Sequence, residues 1–264
     1  MKISIITATY NRADTIRDTI KSILTQTYKD WEHIIIDGAS NDNTLDIINE
    51  YKDQYNGRLK LVSEKDKGIY DAMNKGIALA SGDIVGILNS DDLYFENDVL
   101  HNINEVFEKD DPDAIYGGIV VTEHDNLNKI IRIKKGSIYP KGGFRTGWHP
   151  AHPSFYVKKR IYDKYGCFDL SFGTASDMEL MIRFIEREHI FLKFLPKIMV
   201  KMRFGGASNN SIKALLKSNQ YVLQAFEKNG LKKPNFYLLK KLWPKAISIF
   251  KSKLNLDTLQ YPQR

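Results

Sequence analysis

Three times in the first hundred residues, an isoleucine-rich apolar run gives way to a polar loop and then to apolar residues at helical spacing. Residues 2–8 lead into Thr9-Tyr10-Asn11-Arg12 and a helix from Asp14 that carries Ile16, Ile20, Ile23 and Leu24. Trp31 to Ile36 stops at Asp37-Gly38-Ala39-Ser40-Asn41-Asp42, before a helix capped by Asp42 or Thr44 with Leu45, Ile48 and Tyr51 inward. Leu59 to Val62 meets Glu64-Lys65-Asp66-Lys67-Gly68 and a helix over 69–81. A fourth run, 83–88, reads as a strand buried on both faces and ends in Asn89-Ser90-Asp91-Asp92. Strand, loop and helix in this order specify right-handed βαβ units and a parallel sheet. All four polar loops then share one edge, outside the carboxyl ends of the strands, where open α/β sheets collect ligands.

On that edge the adjacent carboxylates of Asp91 and Asp92 repel one another, so packing them together calls for a cation or a basic partner. A hard divalent ion carrying substrate phosphates meets that need. Capping of the helix that starts near Glu96 is the competing reading. Neither Gly-x-Gly-x-x-Gly nor Gly-Lys-Ser/Thr follows any strand, which disfavours nicotinamide enzymes and P-loop ATPases.

The 264 residues suffice for one large or two small domains, and no apolar run approaches the roughly 20 residues that span a bilayer. The chain enters a strand pattern at once rather than a signal peptide, and the single cysteine, Cys167, forms no intrachain disulfide. Both features suit a reducing cytoplasm. The net charge of +7 is uneven: seven lysines and no acid lie between Asn229 and Asn255, interleaved with Phe236, Tyr237, Trp243, Phe250 and aliphatic residues. Two readings stand for this tail, a helix packed on the domain with solvated lysines, or a peripheral contact with the anionic inner face of a membrane. Nucleic acid is not expected.

Further along, Val99 to Phe107 is periodic as a helix, Ala114 to Gly118 reads as a strand and 119–133 as a hairpin turning near Asp125-Asn126. Residues 142–153, with Trp148, His149 and His152 between glycines and prolines, read as a mobile loop. A strand at Ser154 to Val157, a short helix to Tyr165, a helix from Ser176 with acids in its first turn, and a strand at Ile198 to Phe204 complete the pattern.

Five motifs in order resemble those of the GT-A fold of family 2 glycosyltransferases, inverting enzymes that build bacterial polysaccharides. They are Ile5 to Asn11, Asp37 to Asp42, Asp66 to Gly76, Asn89 to Asp92, and Ser176-Asp177-Met178-Glu179. The resemblance covers about residues 1–208. It implies an α/β fold, with a Rossmann-like nucleotide-binding half, a mixed, mainly parallel sheet and a C-terminal helical region. It implies a catalytic domain over 1–208, divided into a nucleotide-sugar half (1–95) and an acceptor half (96–208), with a basic helical region over 209–264. The implied activity moves a sugar from a nucleotide sugar, by expectation UDP-linked, to a lipid-linked or saccharide acceptor of a surface polysaccharide such as O-antigen or capsule.

Residue by residue, the resemblance gives donor contacts to Thr7, Thr9, Asn11 and Asp37. A carboxylate accepting a uracil N–H is chemically sensible at Asp37, and a turn before Gly38 is the alternative. Asp66, Lys67, Asp71 and Asn74 follow the donor, Lys67 as a point charge on phosphate or as a solvated loop lysine. Asp91 places the sugar or ribose. Asp92 and Asn89 would hold Mn2+ or Mg2+, hard cations suited to oxygen ligands and diphosphate, with asparagine at 89 where many members carry aspartate. Asp177 is the implied base, since an inverting in-line displacement needs one carboxylate to take the acceptor's proton, and Glu179 cannot share its face. Trp148 and His152 fall to the acceptor; His149 and His152 lack a third partner at metal-ligand spacing. Gly205-Gly206-Ala207-Ser208 is either a donor-lining run of N–H groups or a plain turn. Two other classes compete. A sugar nucleotidyltransferase would carry a Gly-rich phosphate loop where Thr9 to Arg12 stand, and a non-catalytic polysaccharide-binding module would not need both Asp92 and Asp177.

Overall fold

A computed structural model of the chain describes residues 1–205, 212–235 and 237. Its first half alternates as the apolar runs dictate: β1 (Ile3–Thr9), α1 (Ile16–Leu24), β2 (Trp31–Asp37), α2 (Thr44–Glu50), β3 (Leu59–Ser63), α3 (Ile69–Leu79) and β4 (Ile84–Ile87). Strands β1, β2 and β4 are buried throughout, as near-continuous apolar runs require when helices cover both faces. Ile3 and Ile5 of β1 enter one core with Ile16, Ile20 and Ile48, whereas Ile6 and Ala8 enter the other with Ala72, Met73 and Ile77 of α3. Helix α3 touches β1 because residue 76 is glycine; a Cβ there would lie 2.4 Å from Ile6 Cγ2. Asp14 and Thr15 do not cap α1 through their side chains, while Asp42 forms a short turn by accepting from the Thr44 amide at 3.0 Å.

The second half adds β5 (Leu93–Tyr94), α4 (Val99–Asp110), β6 (Ala114–Thr122), β7 (Ile130–Lys134), β8 (Tyr156–Lys158), α5 (Lys159–Tyr165), α6 (Ser176–Ile182), β9 (Leu192–Arg203) and α7 (Ile212–Lys228). All nine strands form one sheet in the order β3-β2-β1-β4-β8-β6-β9-β5, with β7 also on β6. Strands β1 to β4, β6 and β9 run one way and β5, β7 and β8 the other, so the sheet is mixed and mainly parallel. The short antiparallel β8 splices β4 to β6. Gly86 makes the splice possible: a Cβ there would stand 2.0 Å from Tyr156 Cε1, and the Tyr156 hydroxyl shares a 2.6 Å hydrogen bond with that of Tyr94.

Three local readings are corrected. The hairpin over 119–133 is present, Ile119 to Thr122 pairing antiparallel with β7, but its first arm is the continuation of β6 and not a separate strand. Strand β9 begins at Leu192, not Ile198, and runs through Pro196, where its pairing with β6 shifts register between Tyr116 and Ile119. Such an irregularity is where a strand accommodates proline. Residues 142–153 contain two helical turns and the fully buried Phe144. Val222, Ala225 and Phe226 of α7 belong to the same core as α6. Most of the basic tail, and Gly206 to Ser208, lie outside the described residues. No helix among the described residues is long and apolar enough to cross a membrane.

Candidate active site

Thr9, Asp37 and Ser63 stand in one row, because β1 pairs Thr9 with Asp37 and β2 pairs Asp37 with Ser63. The end of β4 joins them through the Leu88 amide on Ile6 O (3.0 Å) and the Thr7 hydroxyl on Leu88 O (2.7 Å). The loops after β1 and β2 are knitted by Asn11, left-handed at φ 50°, whose amide oxygen accepts from Asn41 N (2.9 Å) while its own N–H donates to Ser40 Oγ (2.8 Å). Asp37 is fully buried and accepts from Ser40 N (3.0 Å), Ser40 Oγ (2.5 Å) and Ser63 Oγ (2.7 Å). Asp66 lies over Gly38, where a Cβ would come within 2.7 Å of Asp66 Oδ2 and 3.4 Å of the Tyr10 ring. The Thr9 hydroxyl is buried on this rim with no partner among the described residues. Lys67 is exposed, and Asp71 accepts from the Lys67 amide at 3.0 Å.

The four-residue turn after β4 separates the two acids. Asp92 is 1 % exposed, whereas Asp91 is half-exposed. Burial, then the neighbouring Asp91 charge, pushes the Asp92 carboxyl well above the usual carboxylate range, against the hydrogen bond from Asn89 and the nearby Arg203. Asn89 donates from Nδ2 to Asp92 Oδ2 at 2.9 Å, which leaves Asn89 Oδ1 buried without a donor. An orphan amide oxygen beside two carboxylates fits a hard cation. Among the described residues, however, no three His, Cys, Asp or Glu side chains group closely enough to hold an ion by themselves. The site therefore fits a cation that keeps waters and takes diphosphate oxygens, as Mg2+ does.

A second group assembles around α6. Asp177 is half-buried and accepts from Met178 N at 2.8 Å. Tyr70, on α3, lies against Asp177; burial first, then that carboxylate, raises its pKa. Burial lowers the His152 pKa, opposed by the Asp177 charge, and its ring meets Phe168 edge-on at 5.6 Å. Asn74 clasps the Phe168 backbone at both ends, Nδ2 to O and N to Oδ1, each 2.9 Å. Glu179 is buried the other way, paired with Arg183 at 3.0 Å and accepting from Asn229 at 3.1 Å. Trp148 packs against Tyr139 at 5.4 Å and Tyr116 at 5.8 Å, and donates to Ser137 Oγ at 3.2 Å.

Two expectations change. Thr7 is a structural residue: its hydroxyl lies 2.9 Å from buried His33 and donates to Leu88 O, so it does not face a ligand. Asn74 holds the loop that leads to α6 rather than a free donor-binding amide. Tyr70 and Phe168 were not singled out. Tyr70 had a signal, since it stands four residues before Asn74 and so on the same face of α3.

A sequence model described as glycosyl transferase family 2 matches residues 4–174. The chain belongs to that family. Its relatives include a PGL/p-HBAD biosynthesis glycosyltransferase of Mycobacterium bovis, 27% identical over 248 residues that cover 93% of this chain and 92% of that protein. An uncharacterized glycosyltransferase of Mycobacterium tuberculosis is 33% identical over 183 residues, 69% of this chain and 68% of the relative. Among solved structures, Staphylococcus aureus TarS 1–349 in complex with UDP-GlcNAc superposes with a TM-score of 0.68 at 16% identity, over 97% of this chain and 77% of that one. The mannosyltransferase PcManGT from Pyrobaculum calidifontis, in complex with GDP-Man and Mn2+, gives 0.65 at 18% identity, over 98% and 76%. At these identities the likeness shows the fold, which is that of the GT-A glycosyltransferases, and the family makes this protein a glycosyltransferase.

Proposed function

We propose that this family 2 glycosyltransferase is an inverting enzyme that moves a sugar from a UDP-linked donor to a lipid-linked or saccharide acceptor in surface-glycan biosynthesis. The observation that carries the reading is the division of polar groups along one sheet edge: buried hydrogen-bonding groups at the ends of β1 to β4, and a half-buried carboxylate on α6 against which Tyr70 of α3 lies. The UDP-GlcNAc complex of TarS supports the donor, and the PGL/p-HBAD biosynthesis name of the mycobacterial relative supports a biosynthetic role.

In this mechanism Thr9, Asp37 and Asp66 border the nucleoside, and the exposed Lys67 faces phosphate. Asn89 and Asp92 would hold the cation, and Asp91, the more accessible of the two acids, would place the sugar or ribose. A bound Mn2+ or Mg2+ would neutralise charge on the departing diphosphate. Asp177 takes the proton from the acceptor hydroxyl on the face opposite the leaving group, a role typically worth 10²–10⁴ in rate. Tyr70 and His152 border that carboxylate, and Trp148 offers a ring to the acceptor.

Thermal-shift titration with UDP, GDP and dTDP sugars, with and without Mn2+, tests the donor side. UDP species should stabilise the protein, by about 2.7 kcal/mol at a hundredfold excess over Kd, and more strongly with Mn2+ present. Stabilisation by GDP or dTDP sugars in place of UDP would replace the donor assignment.

A further inference from the structure

Between Asp125 and Asp163 the sequence holds nine lysines and arginines and no acid. Part of that interval builds a cleft. Strand β8 pairs with β6 only at Ala114 and Ile115, and β7 begins to pair with β6 only at Ile119; residues 116–118 have no strand partner on that side, where Ser154 Oγ accepts from the Gly117 amide at 3.3 Å and donates to its carbonyl at 2.9 Å. The cleft formed there has a volume of about 430 Å³; Arg132 and Lys134 of β7 line one wall, Trp148 and His149 the other, and Tyr116 the floor. No acid among the described residues lines it. Because β8 runs antiparallel to β4, with Tyr156 opposite Gly86, the residues that precede it return to the edge on which Asn89 to Asp92 lie. Four residues beyond Trp148, a span of at most about 14 Å, the same loop delivers His152 into the field of Asp177.

We propose that this cleft receives a phosphate-bearing part of the acceptor, Arg132 and Lys134 meeting the anion and Trp148 the neighbouring sugar or chain. Two cations on adjacent same-face positions of one strand, in a cleft that no acid among the described residues lines, on the base side of the site, select an anionic acceptor over a neutral saccharide. The inference rests on the glycosyl-transfer reading above and narrows its acceptor class. The exposed isoleucines at 131, 133 and 138 border the cleft region but do not line it, so the charge within the cleft, and not the apolar rim, decides the ligand.

Decyl phosphate below its critical micelle concentration is the probe, with decyl β-glucoside as the uncharged control, titrated by tryptophan fluorescence and calorimetry into full-length protein saturated with UDP and Mn2+. Decyl phosphate should bind at least tenfold more tightly than the glucoside, weaken as salt is added, and lose at least tenfold in an Arg132→Gln/Lys134→Gln variant. Both substitutions are at exposed positions, and circular dichroism checks the fold. Equal affinity of wild type and double variant, or equal affinity for the two probes, overturns the assignment. Pelleting with phosphatidylglycerol vesicles in the absence of monomeric decyl phosphate binding also overturns it, in favour of a bilayer-docking surface. The UDP affinity measured in the same samples keeps the readings apart: UDP bound normally with no phosphate preference sinks the cleft assignment alone, whereas failure to bind UDP sinks the donor reading.

Discussion

Two carboxylates in the first turn of α6 meet different fates. Asp177 faces Tyr70 and the loop around His152, while Glu179 is sealed in with Arg183, whose guanidinium also serves the carbonyls of Gly166 (2.9 Å) and Cys167 (2.7 Å). Asp177→Asn should lower kcat by 10²–10⁴, the range for a lost general base, with Tm unchanged; turnover at the wild-type rate would end its assignment as the base. Glu179→Gln should do the reverse, costing about 3–5 kcal/mol in denaturant unfolding by stranding the buried Arg183 charge. Spacing in the sequence said that these acids diverge, since residues two apart on a helix do not share a face, and the family resemblance picked Asp177 of the two. It could not say which would be buried, because the partners of Glu179 include Asn229, fifty positions downstream.

The polar strand ends were legible because period and punctuation are local: an apolar run, then Asp-Gly or Asn-Ser-Asp-Asp, marks an edge wherever the sheet places it. What joins distant segments was not. Strand β8 is three residues long and pairs with strands some seventy and forty positions earlier, and the proline in β9 masks its first half. The clasp between α3 and the loop before α6 is of the same kind, spanning 94 positions. Its two hydrogen bonds, at about 1 kcal/mol each, tie α3 to the loop that leads to α6 and the proposed base. Asn74→Ala should therefore reduce kcat and loosen the fold by about 2 kcal/mol while UDP affinity stays put; an unchanged kcat with weakened UDP binding would restore Asn74 to the donor. Gly86→Ala tests the β4–β8 splice. Forcing a methyl into the Tyr156 ring should cost about 1–3 kcal/mol by calorimetry, and a variant as stable as the parent would mean that the ring moves aside freely.

For the molecule as a whole, buried ionisable groups set opposing pH trends. Burial would raise Glu32, but hydrogen bonds from Ser4, Ser81 and Lys60 outweigh it and hold its pKa at about 2. A depressed carboxylate stabilises the fold above its unfolded value near 4.5, and that contribution disappears as pH falls towards 2. The stability gap between wild type and Glu32→Gln, read from urea midpoints, should thus shrink across this window. Asp92 runs the other way. Its raised pKa makes the folded state hold a proton that the unfolded state gives up, so without cation its contribution becomes unfavourable as pH rises past 4. Asp92→Asn should raise Tm in EDTA at pH 8 and have little effect near pH 4, and the opposite order would mean that the carboxylate is compensated within the protein. The splice by β8 has a further consequence. With β4, β8 and β6 hydrogen-bonded into one continuous sheet, the proposed nucleotide and acceptor halves are joined by the sheet itself, with no hinge there at which they could part like a clamshell. Entry and exit of the reactants must then be a matter of short segments at the rim, so new specificities in this scaffold can be written into its loops without rebuilding the floor beneath them.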